Sequence, residues 1–370
     1  MNRWPTKQLG EVCELVNGRP FKPHEWEEAG LPIIRIQNLT DTTKPFNYTT
    51  QALPEKFKVK QGDTLLSWSG TPGTSFGCFR WDGPEGWLNQ HIFNVHLGDE
   101  VLPPFFIYQV NSKLDELIAK AHGGVGLQHI TKGALSSVNV TVPPLAEQER
   151  IVKLLDEADG LRKLRAQANR RTAALIPSLF HEMFGDPSTN SKGWAVKPFG
   201  DLASNQDGRR KPVKASDRAE LKGEYPYYGA SGIIDYVDDY LFDETALLIG
   251  EDGANLLARS TPIAFLAHGK YWVNNHAHVV IDNGKADLNY LCAALNLRDL
   301  TDYVTGCAQP KLNQANMNRM PIPVPPLPLQ KEFAARVSEI RTLQAEQAAS
   351  RRRLDNLFRS MLHRAFNGEL

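Results

Sequence analysis

The chain has 370 residues, 41% of them hydrophobic, which exceeds what one core ordinarily serves and allows a sizeable core in each of two domains. Its 42 basic residues balance 42 acidic ones, which excludes a uniformly basic polyanion binder and makes the placement of charge more informative than its sum. Cys13, Cys78, Cys292 and Cys307 form no C-x-x-C pair, so no disulfide framework or thiolate metal site is expected and a reducing cytoplasm fits; no membrane segment is expected either, because no apolar run approaches the roughly 20 residues that span a bilayer.

In chain order, the apolar runs Leu31 to Ile36, Thr64 to Trp68, Ile92 to Leu97 and Val138 to Val142 are bounded by Gly, Pro and Asn and are predicted as strands, with a helix from Phe105 to Ala121. Pro143-Pro144 cannot continue a helix but can precede one. The stretch after it is almost free of Gly and Pro, and Ile151, Leu155, Ala158, Arg162, Arg165, Asn169, Thr172, Ile176, Leu179 and Met183 recur there at alternating spacings of four and three. That is a heptad seam on a long helix, which Pro177 should kink or end near Ile176.

The plan then repeats. Strands are predicted near Ala246 to Ile249, Ile263 to Ala267 and His278 to Ile281, with a helix from Asp287 to about Tyr303. After Pro325-Pro326 a second seam carries Phe333, Val337, Ile340, Gln344, Gln347, Arg351, Leu354, Phe358, Met361 and Ala365. Val142-Pro143-Pro144-Leu145 recurs as Val324-Pro325-Pro326-Leu327 and Ser178-Leu179-Phe180-His181 as Ser360-Met361-Leu362-His363, both at an offset of 182; Asn89-Gln90-His91 corresponds to Asn274-Asn275-His276 with a small slip. Such collinear matches indicate a tandem duplication. The predicted fold is α+β: mixed lobes at 1–145 and 187–327, each followed by a long coiled-coil-like helix at 146–186 and 328–370. The seam residues expected to pair the helices or dock partners are Ile151, Leu155, Ala158, Ile176, Leu179, Phe333, Val337, Ile340, Leu354, Phe358 and Met361. Both seams are apolar at their ends and polar in the middle, so parallel and antiparallel pairing are equally compatible with them.

Catalytic machinery is not legible. Gly123-Gly124-Val125-Gly126 is no dinucleotide fingerprint, no Walker loop or G-x-S-x-G elbow occurs, and Glu251-Asp252 reads as a turn rather than a metal site. His91 and His276 are repeat-related, so they belong to different lobes and read as satisfied polar residues. What remains is loop chemistry suited to nucleic acid: hydroxyls, amides and cations that can meet base edges or phosphates. The candidates are Arg35, Gln37, Asn38, Ser67, Trp68, Ser69, Thr71, Thr74 and Lys132 in the first lobe, and Arg209, Arg210, Lys211, Tyr227, Tyr228, Ser231, Asn255 and Lys311 in the second. A coiled-coil adaptor with protein- or glycan-binding lobes and a self-contained DNA-modifying enzyme are the competing readings.

The segment Pro143-Pro144-Leu145-Ala146-Glu147-Gln148-Glu149-Arg150-Ile151-Val152 before a long helix resembles the central region of type I restriction-modification specificity subunits. The second copy keeps Pro325-Pro326-Leu327 and Gln330 but lacks the first Glu. Gly70-Thr71-Pro72-Gly73-Thr74, Tyr228-Gly229-Ala230-Ser231-Gly232 and Gly250-Glu251-Asp252-Gly253-Ala254 are similar to segments of that family's target-recognition domains. The resemblance implies that each lobe reads half of a bipartite double-stranded DNA target. It implies an antiparallel helix pair that spaces the lobes and docks two modification (methyltransferase) subunits, with restriction subunits joining the same core. It also implies that this chain holds no cofactor or metal, while S-adenosylmethionine, ATP and Mg belong to the partner subunits that methylate adenine N6.

Overall fold

A computed structural model describes residues 4–71, 74–119, 122–124, 127–306 and 309–370. Pro72, Gly73, Ala121, Val125, Gly126 and Cys307, named above, lie outside the described residues. The chain forms two compact units, one made of 1–165 with 350–370 and the other of 166–349.

Each unit is built on the same topology. In the first, strand Ile92–Leu97 lies between Cys13–Asn17 and Thr64–Ser67, with Gly77–Arg80 beyond, all antiparallel. In the second, Ala277–Asp282 lies between Ala203–Asn205 and Ala246–Gly250, with Ala264–Ala267 beyond, again antiparallel. A second sheet in each has one parallel pair, Leu31–Ile34 with Gly86–Leu88 and Lys222–Gly229 with Lys270–Val273. These central strands are apolar and buried on both faces, as Leu65, Leu66, Leu247, Leu248 and Ile249 show, so they read as continuous apolar runs.

The predicted strands and helices are present, with shifted ends. The first strand stops at Ile34, and Ile36–Thr40 form a helical turn closed by the Asn38 side chain on the Arg35 N–H. The helix expected from Phe105 runs Pro103–Ser112 and restarts at Leu114–Ala119. Its end is fixed by Asn111, which accepts from the Cys78 N–H and donates to the Cys78 carbonyl, both at 2.8 Å. The matched helix begins on an Asp287 cap and ends at Leu297, short of Tyr303. Asn296 binds both backbone groups of Ala264 there, at 3.1 and 2.7 Å. An amide that competes for backbone groups of a neighbouring strand ends a helix in both copies.

The first long helix, Leu145–Ala173, breaks before Leu175–Phe184, two residues upstream of the expected point. Pro177 explains the position, since a proline ring clashes with the carbonyl four residues earlier, here that of Ala173. The second, Leu327–Asn367, is unbroken. Within each unit the helices run antiparallel. In the first, Arg150 donates to the Leu370 carbonyl at 2.8 Å and Arg162 to Asp355 at 2.8 Å. In the second, Gln344 donates to the Thr172 carbonyl at 3.1 Å and Phe333 meets Phe180 edge-on. The seam ends do more than pair helices, because they complete the lobe cores. Ile151, Leu155, Ala158 and Phe358, with Met361 against them, join Phe105 and Phe106; Phe333 and Val337, with Ile176 and Leu179 against them, join Tyr290 and Leu291. Ile340 and Leu354, nearer the polar middle, are only partly buried.

Candidate nucleic-acid interface

Strand register aligns the two lobes residue by residue at the ends of their central strands. Ser67 faces Ile92 and Leu66 faces Phe93 in the first lobe; Gly250 faces Ala277 and Ile249 faces His278 in the second. Trp68 therefore corresponds to Glu251, Ser69 to Asp252, His91 to His276 and Phe93 to His278. Val95 opposite Leu15 and Val280 opposite Asn205 likewise match Asn17 with Asp207. His129 opposite Ser69 and Lys311 opposite Asp252 complete the set.

One of these six positions is histidine in both lobes, His91 and His276, and the other five hold different chemistry. In the first lobe Trp68 stacks on Phe93 with centroids 5.6 Å apart, and its indole N–H donates to Asn17 at 3.2 Å. His91 packs edge-on against Trp68, and burial, with His129 nearby, holds its imidazole below the ordinary histidine range. In the second lobe the residues matching Asn17, Trp68 and Phe93, namely Asp207, Glu251 and His278, form an ionic cluster. His278 is buried, with Nδ1 on Asp207 at 2.6 Å and Nε2 on the Leu312 carbonyl at 2.8 Å. Arg210 pairs with Glu251 at 2.7 Å and Asp207 at 3.4 Å, and Lys311 meets Glu251 at 3.1 Å. Burial pushes both carboxyls up, but hydrogen bonds from His278 to Asp207 and from Arg210 and Lys311 to Glu251 outweigh it and hold both below their usual range. Asp207, Glu251 and His278 place ligand atoms within 4.8 Å of one another, a donor set that could hold a cation. Arg210 already supplies the positive charge at that point, so the cluster reads as an ionic brace joining four chain segments.

Around these positions the structure sorts the expected contacts. Asn38, Ser67, Ser69 and Tyr227 are buried. Asn38 donates to the Lys44 carbonyl at 3.2 Å, Ser67 to the Ser75 carbonyl at 2.5 Å, and the Tyr227 hydroxyl accepts from the Val213 N–H at 2.9 Å. These four leave the contact set, because each was turned inward by its strand or turn, where a buried polar group needs an internal partner. Others reach the surface, Lys132 and Arg209 as exposed residues, but are committed to contacts within the fold. Arg35 bonds Asn47, Gln37 the Pro45 carbonyl, Lys132 the Leu15 carbonyl, and Asn255 the Thr261 backbone. Arg209 pairs with Glu244 over the Phe242 ring, Arg210 belongs to the brace, and Tyr228 packs on Phe265 and Tyr271. Thr71, Thr74, Lys211, Ser231 and Lys311 are exposed. Sequence reading missed Asn17, Asp207 and His278, set His91 and His276 aside, and read Glu251-Asp252 as a turn. The repeat that paired His91 with His276 was the available signal; the others needed the register.

The chain thus belongs to a class of protein made of two lobe-and-helix units of one topology, with different side chains at matched positions. The family model for the type I restriction modification DNA specificity domain matches residues 1–170 and 191–349, and the chain belongs to that family. It is 38% identical over 152 residues to a Haemophilus influenzae protein described as a type I restriction enzyme specificity subunit, and 25% identical over 155 residues to the Escherichia coli EcoBI specificity subunit. Those alignments take in about 40% of this chain but only 38% and 32% of the relatives' lengths. The Methanocaldococcus jannaschii MjaIX specificity subunit is 23% identical over 91% of this chain and 86% of its own. The fold is similar to the crystal structure of a type I restriction-modification system S subunit from M. genitalium, with a TM-score of 0.61 and 16% identity over 99% of this chain and 96% of that one. Among the described residues no helix is long and apolar enough to cross a membrane.

Proposed function

We propose that this chain is the DNA specificity subunit of a type I restriction-modification complex, acting in the cytoplasm without a catalytic site or cofactor of its own. Each lobe reads one half of a bipartite duplex target. Two modification subunits, which carry S-adenosylmethionine, methylate the site, and restriction subunits that use ATP and Mg join the same core. The observation that carries this reading is the pairing of one fold with two chemistries at five of six matched positions, an arrangement that suits an asymmetric two-part target.

The helices supply a reason for two identical partners. Leu161 and Leu357 in the first unit, and Leu175 and Leu343 in the second, are 42–54% exposed. Leu343 and Leu357 stand at the repeat offset from Leu161 and Leu175, and each precedes a seam residue, a flanking position that ordinarily carries charge. Repeat-matched apolar flanks present the same docking surface twice. Methylation profiling of cells carrying the chain with its modification subunits tests the proposal: a two-part motif with a fixed gap is expected, and methylation without such a motif overturns it.

A further inference from the structure

Lys311, Asp252 and His276 lie side by side where the central sheet of the second lobe opens. Asp252 forms a backbone bridge with Lys311, and the Glu251 N–H donates to the His276 carbonyl at 2.9 Å, so the three residues sit on three adjacent segments. The brace of Asp207, Glu251, Arg210 and His278 anchors those segments from behind. His276 is 48% exposed with Nδ1 on Asp252 at 2.8 Å. That contact puts the Nδ1 proton toward the carboxylate, and in the neutral ring it leaves Nε2 an acceptor, for which the described residues offer no partner. Lys311 is 51% exposed and touches Glu251, which already has Arg210 as a partner, so its ammonium keeps donors for a ligand. A donor and an acceptor are thus held next to each other on a rigid frame.

We infer that Lys311 and His276, oriented by Asp252, read one G·C pair in the half-site held by the second lobe; this rests on the reading of the chain as a DNA specificity subunit. In the major groove guanine presents the O6 and N7 acceptors that lysine favours, and its cytosine presents the N4 amino donor. The Lys311 ammonium donates to the guanine and His276 Nε2 accepts from the cytosine. The first lobe cannot repeat this reading, since Ser69 and His129 stand where the second has Asp252 and Lys311.

The test uses the complex with its modification subunits. Methylation profiling of Lys311→Met and His276→Ala should relax the same single G·C position by roughly 10- to 100-fold, the discrimination one side-chain–base pair supplies, with the other half-site unchanged. Lys311→Arg should retain guanine there. With the unaltered protein, duplexes carrying 7-deazaguanine at each guanine of that half-site in turn should bind about 10-fold more weakly at one position, a readout that does not depend on a variant folding. Relaxation at an A·T pair or in both half-sites, or indifference to 7-deazaguanine at every position, overturns the inference. The absence of any two-part motif for the unaltered chain is a different result and overturns the parent reading.

Discussion

Gln148 and Gln330 occupy matched positions at the start of the two long helices, both fully buried, and perform the same task. Gln148 donates to the Glu100 and Pro143 carbonyls and accepts from the Leu102 N–H, each at 2.8 Å. Gln330 donates to the Pro325 carbonyl at 2.8 Å and accepts from the Asp287 N–H at 2.9 Å. Each joins its long helix to the start of the lobe helix. Gln148→Ala or Gln330→Ala orphans buried backbone groups at about 1–3 kcal/mol apiece. Urea unfolding should show a lowered midpoint for either variant, and an unchanged midpoint would mean that water replaces the amide at no cost.

The leucine flanks predict stepwise loss of partners. Leu161→Lys with Leu357→Lys should leave the chain folded, because all four exposed leucines contribute little to the core, yet release one modification subunit. Adding Leu175→Lys and Leu343→Lys should release the second. Mass measurement of the purified complex reads the count directly, and two subunits retained by the fourfold variant would place docking elsewhere.

Acid should act on the second lobe before the first. Asp207 and Glu251 are held below their ordinary values, so they stabilise the fold above their unfolded values near pH 4, and this contribution is lost as pH falls through the folded ones. Asn17 and Trp68 at the matched sites do not titrate in that range. Hydrogen exchange followed from pH 7 to pH 3 should show protection failing first in strands Ala246–Gly250 and Ala277–Asp282. Glu251→Gln should weaken the lobe at pH 7 more than at pH 3; equal destabilisation at both would dismiss the ionic contribution.

The helices should also behave as a ruler. The compact units divide at 165/166 and 349/350, beside Ala166 and Ala348. Four residues inserted after each add roughly 6 Å of helix and turn it by slightly more than one turn, nearly preserving the seam. At about 3.4 Å per base pair, the preferred gap should lengthen by close to two pairs while both half-sites stay the same. Sequencing of methylated sites gives the gap, and full activity at the original gap would exclude the helices as the spacer.

Much of this protein is written locally. The repeated Pro-Pro-Leu segments, the alternating seam spacing and the continuous apolar strands determined a duplicated α+β chain with two long helices, because side-chain periodicity follows helix and strand geometry whatever lies around it. The seam could not choose its direction, since both ends are apolar; the tertiary structure decided it, setting Arg162 on Asp355 in one unit and Thr172 beside Gln344 in the other. Nor could sequence tell a base-reading loop from an internal one. Asn38, Ser67 and Tyr227 have the chemistry of DNA contacts, but their polar atoms bond the backbone within the lobe, and only three-dimensional placement separates them from Lys311. The match of Trp68 with Glu251 and of Phe93 with His278 was hidden for a further reason: it joins residues of unlike chemistry, so similarity cannot find it, and it exists only in the pairing of strands distant in the chain.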